Sequence, residues 1–177
     1  MKIRVVLTAT LLLLFSTIAA SGDYLYSEQY GFTADFPGAP KVGTPAGSAK
    51  DASGNFVSTA VVVSSTKPGV DYAFVSVDSY VLPTTLDREA TFKARCNSFL
   101  NSLGASLTSS HEGTIGDYPA FYFSFGLNDN SASGEVIIVL VQTPKPRIYL
   151  VGTSHTQKAA AKDIAALAKF LDSFRVQ

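Results

Sequence analysis

Six consecutive apolar residues, Val136 to Val141, sit inside the stretch Glu135-Val-Ile-Ile-Val-Leu-Val-Gln142 and leave no polar face to turn toward water. A run of this length, mostly β-branched and bounded by turn formers, fits a strand covered on both faces. Whatever the chain folds into must therefore place apolar material above and below it. Thr143-Pro-Lys-Pro146 follows, then Arg147-Ile-Tyr-Leu-Val151, so the pattern predicts a turn through a Pro-containing loop into a neighbouring strand.

Two segments have the periodicity to supply that cover. Phe92, Cys96, Phe99, Leu100 and Leu103 form one helical stripe, and Ala160, Ile164, Leu167, Ala168 and Leu171 form a second. Thr84 or Thr85 is the expected N-cap of the first helix, with Asp87 and Glu89 in its opening turn and Gly104 as its stop. Ser154-His-Thr-Gln157 matches a capping box for the second. Most of the remaining chain reads as strands. Phe32-Thr-Ala-Asp-Phe36 alternates after a hairpin turning at Tyr30-Gly31, Phe56 to Val63 and Asp71 to Val81 follow, and Ala120 to Leu127 is an aromatic strand. Ser106 to Ile115 is a polar strand or loop. Short turns between consecutive strands favour antiparallel pairing, so the expected fold class is α+β, a largely antiparallel sheet with one main helix on each face.

The N-terminus reads differently. Lys2 and Arg4, an apolar stretch from Val5 to Phe15 and the small residues Ala19-Ala20-Ser21-Gly22 make the three parts of a secretory signal, with cleavage expected after Ala20 or Gly22. An uncleaved anchor is the competing reading, but the apolar part is shorter than the roughly 20 residues a bilayer span needs. The expected organisation is a signal peptide over 1–21 and one globular domain over 22–177, with the product periplasmic or secreted and without a stable membrane span. Without Lys2 and Arg4 the 14 basic residues fall to 12 against 14 acidic, a net charge of −2 that argues against a nucleic-acid partner. Cys96 is the only cysteine, so no disulfide forms within one chain, and its place on the helix stripe predicts a buried thiol.

The order of landmarks resembles a known class. Tyr30-Gly-Phe32 through Phe36-Pro-Gly-Ala-Pro40, Ile115-Gly-Asp-Tyr-Pro-Ala120, Arg147-Ile-Tyr-Leu150 and a final helix closing Phe170-Leu-Asp-Ser-Phe174 together resemble small exported bacterial proteins of the PsbP-like class. The resemblance spans roughly Tyr24 to Phe174. It implies an α/β/α sandwich, shared by the extrinsic photosystem subunit PsbP and a Ran-binding nuclear-import factor, whose members bind other proteins. It carries over no functional residue, because the matching positions are turn and core positions, and it does not point to photosynthesis.

Catalytic patterns are sparse. Neither a Gly-x-Ser-x-Gly elbow nor a glycine-rich phosphate loop is present, and no cofactor is expected. His111 and His155 are the two histidines; a hydrolase using either is the weakest of three functional readings. His155 falls in the expected capping segment as a turn residue. A surface metal site from His111, Glu112 and Asp117 competes with a plain polar strand end. Lys158, Lys162 and Lys169, interleaved with Asp163 and Asp172, read as a solvated helix face. What remains is a surface: Tyr24, Tyr26 and Tyr30 in the first hairpin, with Tyr72, Phe74 and Tyr80 on one sheet face, supply contact area with polar tips. The leading expectation is a non-catalytic domain binding an envelope or extracellular protein. The alternative is a carrier holding an apolar molecule between the helix stripe and the aromatic strand Ala120 to Leu127.

Overall fold

The computed structural model describes residues 23–43, 49–50, 56–67, 71–79, 87–143 and 145–177. The expected signal segment, Thr84, Thr85, Tyr80, Val81 and the Asp51 to Asn55 turn lie outside them. The described strands are β1 (Asp23–Ser27), β2 (Phe32–Phe36), β3 (Lys41–Gly43), β4 (Ala49–Lys50), β5 (Phe56–Lys67) and β6 (Asp71–Ser79). Helix α1 (Arg88–Leu103) precedes β7 (Ala105–Ile115), β8 (Tyr118–Leu127), β9 (Ala132–Val141) and β10 (Arg147–Thr156), and α2 (Ala161–Ser173) leads into β11 (Arg175–Val176).

The main sheet runs β3-β5-β6-β10-β9-β8-β7 with β4 beside β5, and every described pairing is antiparallel. From β6 the chain crosses one face as α1, enters β7 at the far edge, and meanders back through β8 and β9 until β10 closes against β6. This is the antiparallel sheet expected from the short turns. The apolar run occupies β9 and is covered on both faces as its pattern demands. Val136, Ile138 and Leu140 pack with Phe92, Cys96 and Leu100 of α1, while Ile137, Val139 and Val141 belong to the core under Leu167, Phe170 and Leu171 of α2. On the α1 side the aromatic strand is filled by the helix itself: Phe92 stacks on Phe121 at 5.6 Å, and Phe99 meets Phe123 and Phe125 edge-on at 5.7 and 5.3 Å.

The first hairpin turns where expected, and β11 joins it in a smaller sheet, β1-β2-β11; that last strand was not legible in the sequence. The inner face of this sheet joins the α2 core, where Phe36 lies 4.8 Å from Phe170 and Phe32 lies 5.8 Å from Phe174. The β1–β2 turn closes with Gly31 at φ +65°, a left-handed position that favours glycine.

Both helix starts differ from expectation. Asp87 is the N-cap of α1, not a residue of its first turn, and its carboxylate accepts from the Ala90 amide at 3.0 Å. Asp ranks above Thr as an N-cap because its carboxylate is also favoured by the helix dipole. Gly104 ends α1 at φ 61° as expected. The capping box does not form. Ser154, His155 and Thr156 pair with Gly134, Ser133 and Ala132 as the end of β10, and α2 begins after Ala160 without a side-chain cap. Ladder bonds outcompete the local box, and the Gln157 amide instead donates to the Asn130 carbonyl at 2.7 Å.

Candidate functional site

The four described tyrosines of the expected surface set, Tyr24, Tyr26, Tyr30 and Tyr72, do not form one patch. Tyr24 and Tyr26, 64% and 56% exposed, alternate with the inward Leu25 on β1, whose outer edge has no strand neighbour among the described residues. Their register partners on β2 are the half-buried Asp35 and the buried Thr33. Asp35 lies 3.5 Å from the Lys169 ammonium, so that lysine joins this surface, not a bare cationic stripe. Tyr30 turns the other way and packs on the α2 core. Tyr72 is exposed on β6 of the main sheet, and Tyr80 lies outside the described residues.

Strand geometry also separates the expected metal ligands. Successive side chains point to opposite faces. His111 therefore lies on the α2 side, stacked on Tyr122 with centroids 4.8 Å apart, while Glu112 lies on the α1 side, 3.3 Å from Arg88. Asp117 sits in the β7–β8 turn. Among the described residues no group of three or more His, Cys, Asp or Glu could hold a metal ion. His111 on β7 and His155 on β10 have β8 and β9 between them.

Tyr122 itself is fixed by its neighbours. Its ring lies over Gly113, where a Cβ would stand 2.9 Å away, and its hydroxyl donates to the Thr114 carbonyl at 3.0 Å. Burial pushes the Tyr122 hydroxyl pKa up, opposed by the nearby Arg175 charge.

A cleft of about 340 Å³ opens beside α2. Helix α2 packs on β2, β6 and β10 but leaves β8 and β9 uncovered at one end. There, Thr153, Glu135, Ser124 and Ser109 stand directly opposite one another across β10, β9, β8 and β7 on the α2 side of the sheet. Ile164, Leu167 and Ala168 of α2 form the opposing wall, and His155 lies at one end. Glu135 is exposed to the cleft, and its side chain makes no ion pair or hydrogen bond among the described residues. His155 Nδ1 lies 3.2 Å from the Thr156 carbonyl oxygen. A carbonyl only accepts, so in a neutral ring this contact favours the proton on Nδ1 and leaves Nε2 as an acceptor. The sequence reading passed over Glu135 and Thr153. The available signal was parity: Glu135 shares the face of Ile137, Val139 and Val141, so it is a charge on an inward-facing row.

With this geometry in place, comparison with solved structures identifies a close architectural counterpart in the solution structure of cyanobacterial PsbP (CyanoP) from Synechocystis sp. PCC 6803. The superposition has a TM-score of 0.60 and covers 91% of this chain and 96% of that one. The fold is PsbP-like. At 12% sequence identity the likeness concerns the fold alone. No protein-family model matches the sequence, and no curated protein matches it. Within the PsbP-like fold the two helices sandwich the main sheet, and no helix among the described residues is long and apolar enough to cross a membrane.

Proposed function

We propose that the chain is an exported, non-catalytic binding domain that docks a protein of the cell envelope or the extracellular space through Tyr24 and Tyr26. The observation carrying this reading is that pair: two aromatic side chains on one face of an edge strand, each more than half exposed. Aromatic rings with a polar tip supply large contact area at low conformational cost, which is why they are enriched where proteins meet. The neighbouring Lys169–Asp35 pair gives the patch a polar rim. The PsbP-like fold supports an accessory role, and the basic, apolar and small-residue order of the N-terminus supports export.

The test pairs capture with a variant. The mature protein is crosslinked in envelope extracts of its host beside the Tyr24→Ser/Tyr26→Ser double variant, and the expected result is a partner recovered with the first and lost with the second. Equal recovery by both overturns the tyrosine surface. N-terminal sequencing of the protein from the same host is expected to begin after Ala20 or Gly22; a chain retaining Met1 in the cytoplasm overturns export.

A further inference from the structure

Three polar side chains are buried among the described residues, and two have partners. The Thr33 hydroxyl accepts from the Gln177 amide at 3.3 Å, and the Ser64 hydroxyl donates to the Gly38 carbonyl at 2.7 Å. The Thr153 hydroxyl has no hydrogen bond among the described residues and, unlike the enclosed Thr156 hydroxyl, is open to solvent, so it is available to a ligand. Thr153 lines the cleft beside α2, directly opposite the equally unpartnered Glu135.

We propose that this cleft binds an aliphatic primary amine, its ammonium on the sheet floor and its methylene stem against Ile164 and Leu167. An ammonium has three donors and no acceptor. The floor offers the complement: the Glu135 carboxylate, the Thr153 hydroxyl oxygen and the acceptor nitrogen of His155, which is Glu135's diagonal neighbour across the β9–β10 ladder. The wall is apolar, so it takes a carbon chain but cannot pair the second edge of a sugar or a nucleobase. The volume matches the lower end of small-ligand sites. Such an amine has two sources, a free diamine or the lysine side chain of another protein, and both present the same head and stem.

Titration of the folded protein with cadaverine, with a capped lysine amide and with the uncharged diol analogue of cadaverine, followed by backbone amide NMR, decides the matter. Cadaverine is expected to shift the amides of Glu135, Thr153 and His155, and the diol is not. Tighter binding of the capped lysine than of cadaverine assigns the site to a protein side chain; the reverse assigns it to a free amine. Glu135→Gln, which keeps the side-chain shape, is expected to weaken cadaverine binding at least about tenfold, and Thr153→Val about threefold. The Tyr24→Ser/Tyr26→Ser variant is expected to bind cadaverine unchanged, so failure of the docking surface and failure of the cleft are separable. No localised shift with either amine, an equal response to the diol, or unchanged affinity in Glu135→Gln overturns the proposal.

Discussion

The Tyr149 hydroxyl on β10 donates to the Tyr30 carbonyl at 2.7 Å and so fastens the first hairpin to a strand 119 residues later in the chain. The Gly31 carbonyl is 3.1 Å from the same oxygen, and Arg147 donates to the Gln29 carbonyl at 2.9 Å beside it. A Cβ at Gly31 would collide with the Arg147 guanidinium, so the glycine serves both the left-handed turn and this close approach. Tyr149→Phe keeps the ring packed between Phe32 and Phe174 but takes the hydroxyl donor from the Tyr30 carbonyl, while the Gly31 carbonyl keeps the Gln177 amide. We expect it to lower stability by about 1 to 2 kcal/mol. Urea unfolding measures this, and an unchanged midpoint would remove the hydroxyl from the account.

The same residue predicts an alkaline effect. Burial pushes the Tyr149 hydroxyl above its ordinary value of 10.0, against the lowering influence of Arg147. Above that ordinary value the unfolded chain loses the proton while the folded one keeps it, so the unfolded state binds fewer protons and stability falls as pH rises. The contribution is complete below pH 10 and is lost as pH rises toward the raised folded value. Tyr149→Phe should therefore flatten the stability profile above pH 10, leaving the residual slope of Tyr122 and Cys96, whose values burial also raises. Unfolding at successive alkaline pH values checks the slope, and parallel profiles would count against it.

Asp87→Ala removes the carboxylate that accepts from the Ala90 amide, and a loss of about 1 kcal/mol follows from the orphaned donor. Asp87→Ser should restore most of it, because a serine hydroxyl can reach the same N–H. Equal destabilisation by both substitutions would show that something other than capping was lost.

Local periodicity carried the architecture because each signal needed only its own segment. The parity of Val136 to Val141 demanded two covering layers, and the two helical stripes met it on opposite faces. What failed were choices between local and tertiary partners. Ser154 to Thr156 had a good local partner in a capping box, but two flanking strands offered a longer ladder. Strand β11 has two residues and makes sense only against β2. The cleft depends on where α2 stops covering the sheet, which no window around Glu135 contains, although Glu135's place on an inward row was readable. Tyr30 shows the same limit: its composition suggested surface, and its position beside Gly31 turned it into the core.

Cys96 is buried between α1 and the main sheet, and burial raises its thiol pKa. The thiolate is the reactive form, so both access and protonation suppress reaction. An aromatic disulfide reagent should label native protein slowly, at a rate that tracks global opening, and label urea-unfolded protein at once. Rapid labelling of the native protein would show that the α1 layer opens separately from the rest.

Arg95 and Asp78 tie α1 to β6 through a contact of 2.7 Å, on the strand where Phe74 also stacks on Phe99 of the helix at 6.0 Å. Their environments differ: the Asp78 side chain is 13% exposed and that of Arg95 39%. The carboxylate has therefore given up most of its water, while the guanidinium keeps part of its own. Removing the cation leaves a poorly hydrated charge without its partner, so Arg95→Met should cost about 2 kcal/mol, below the range for fully buried pairs because water still reaches one side. Asp78→Asn should cost less, since the amide keeps an acceptor for Arg95 and carries no charge. In the double variant the stranded charge is gone, and its stability should lie above the sum of the two single losses. A double-mutant cycle by urea unfolding measures that coupling, and strict additivity would reduce the contact to a surface coincidence.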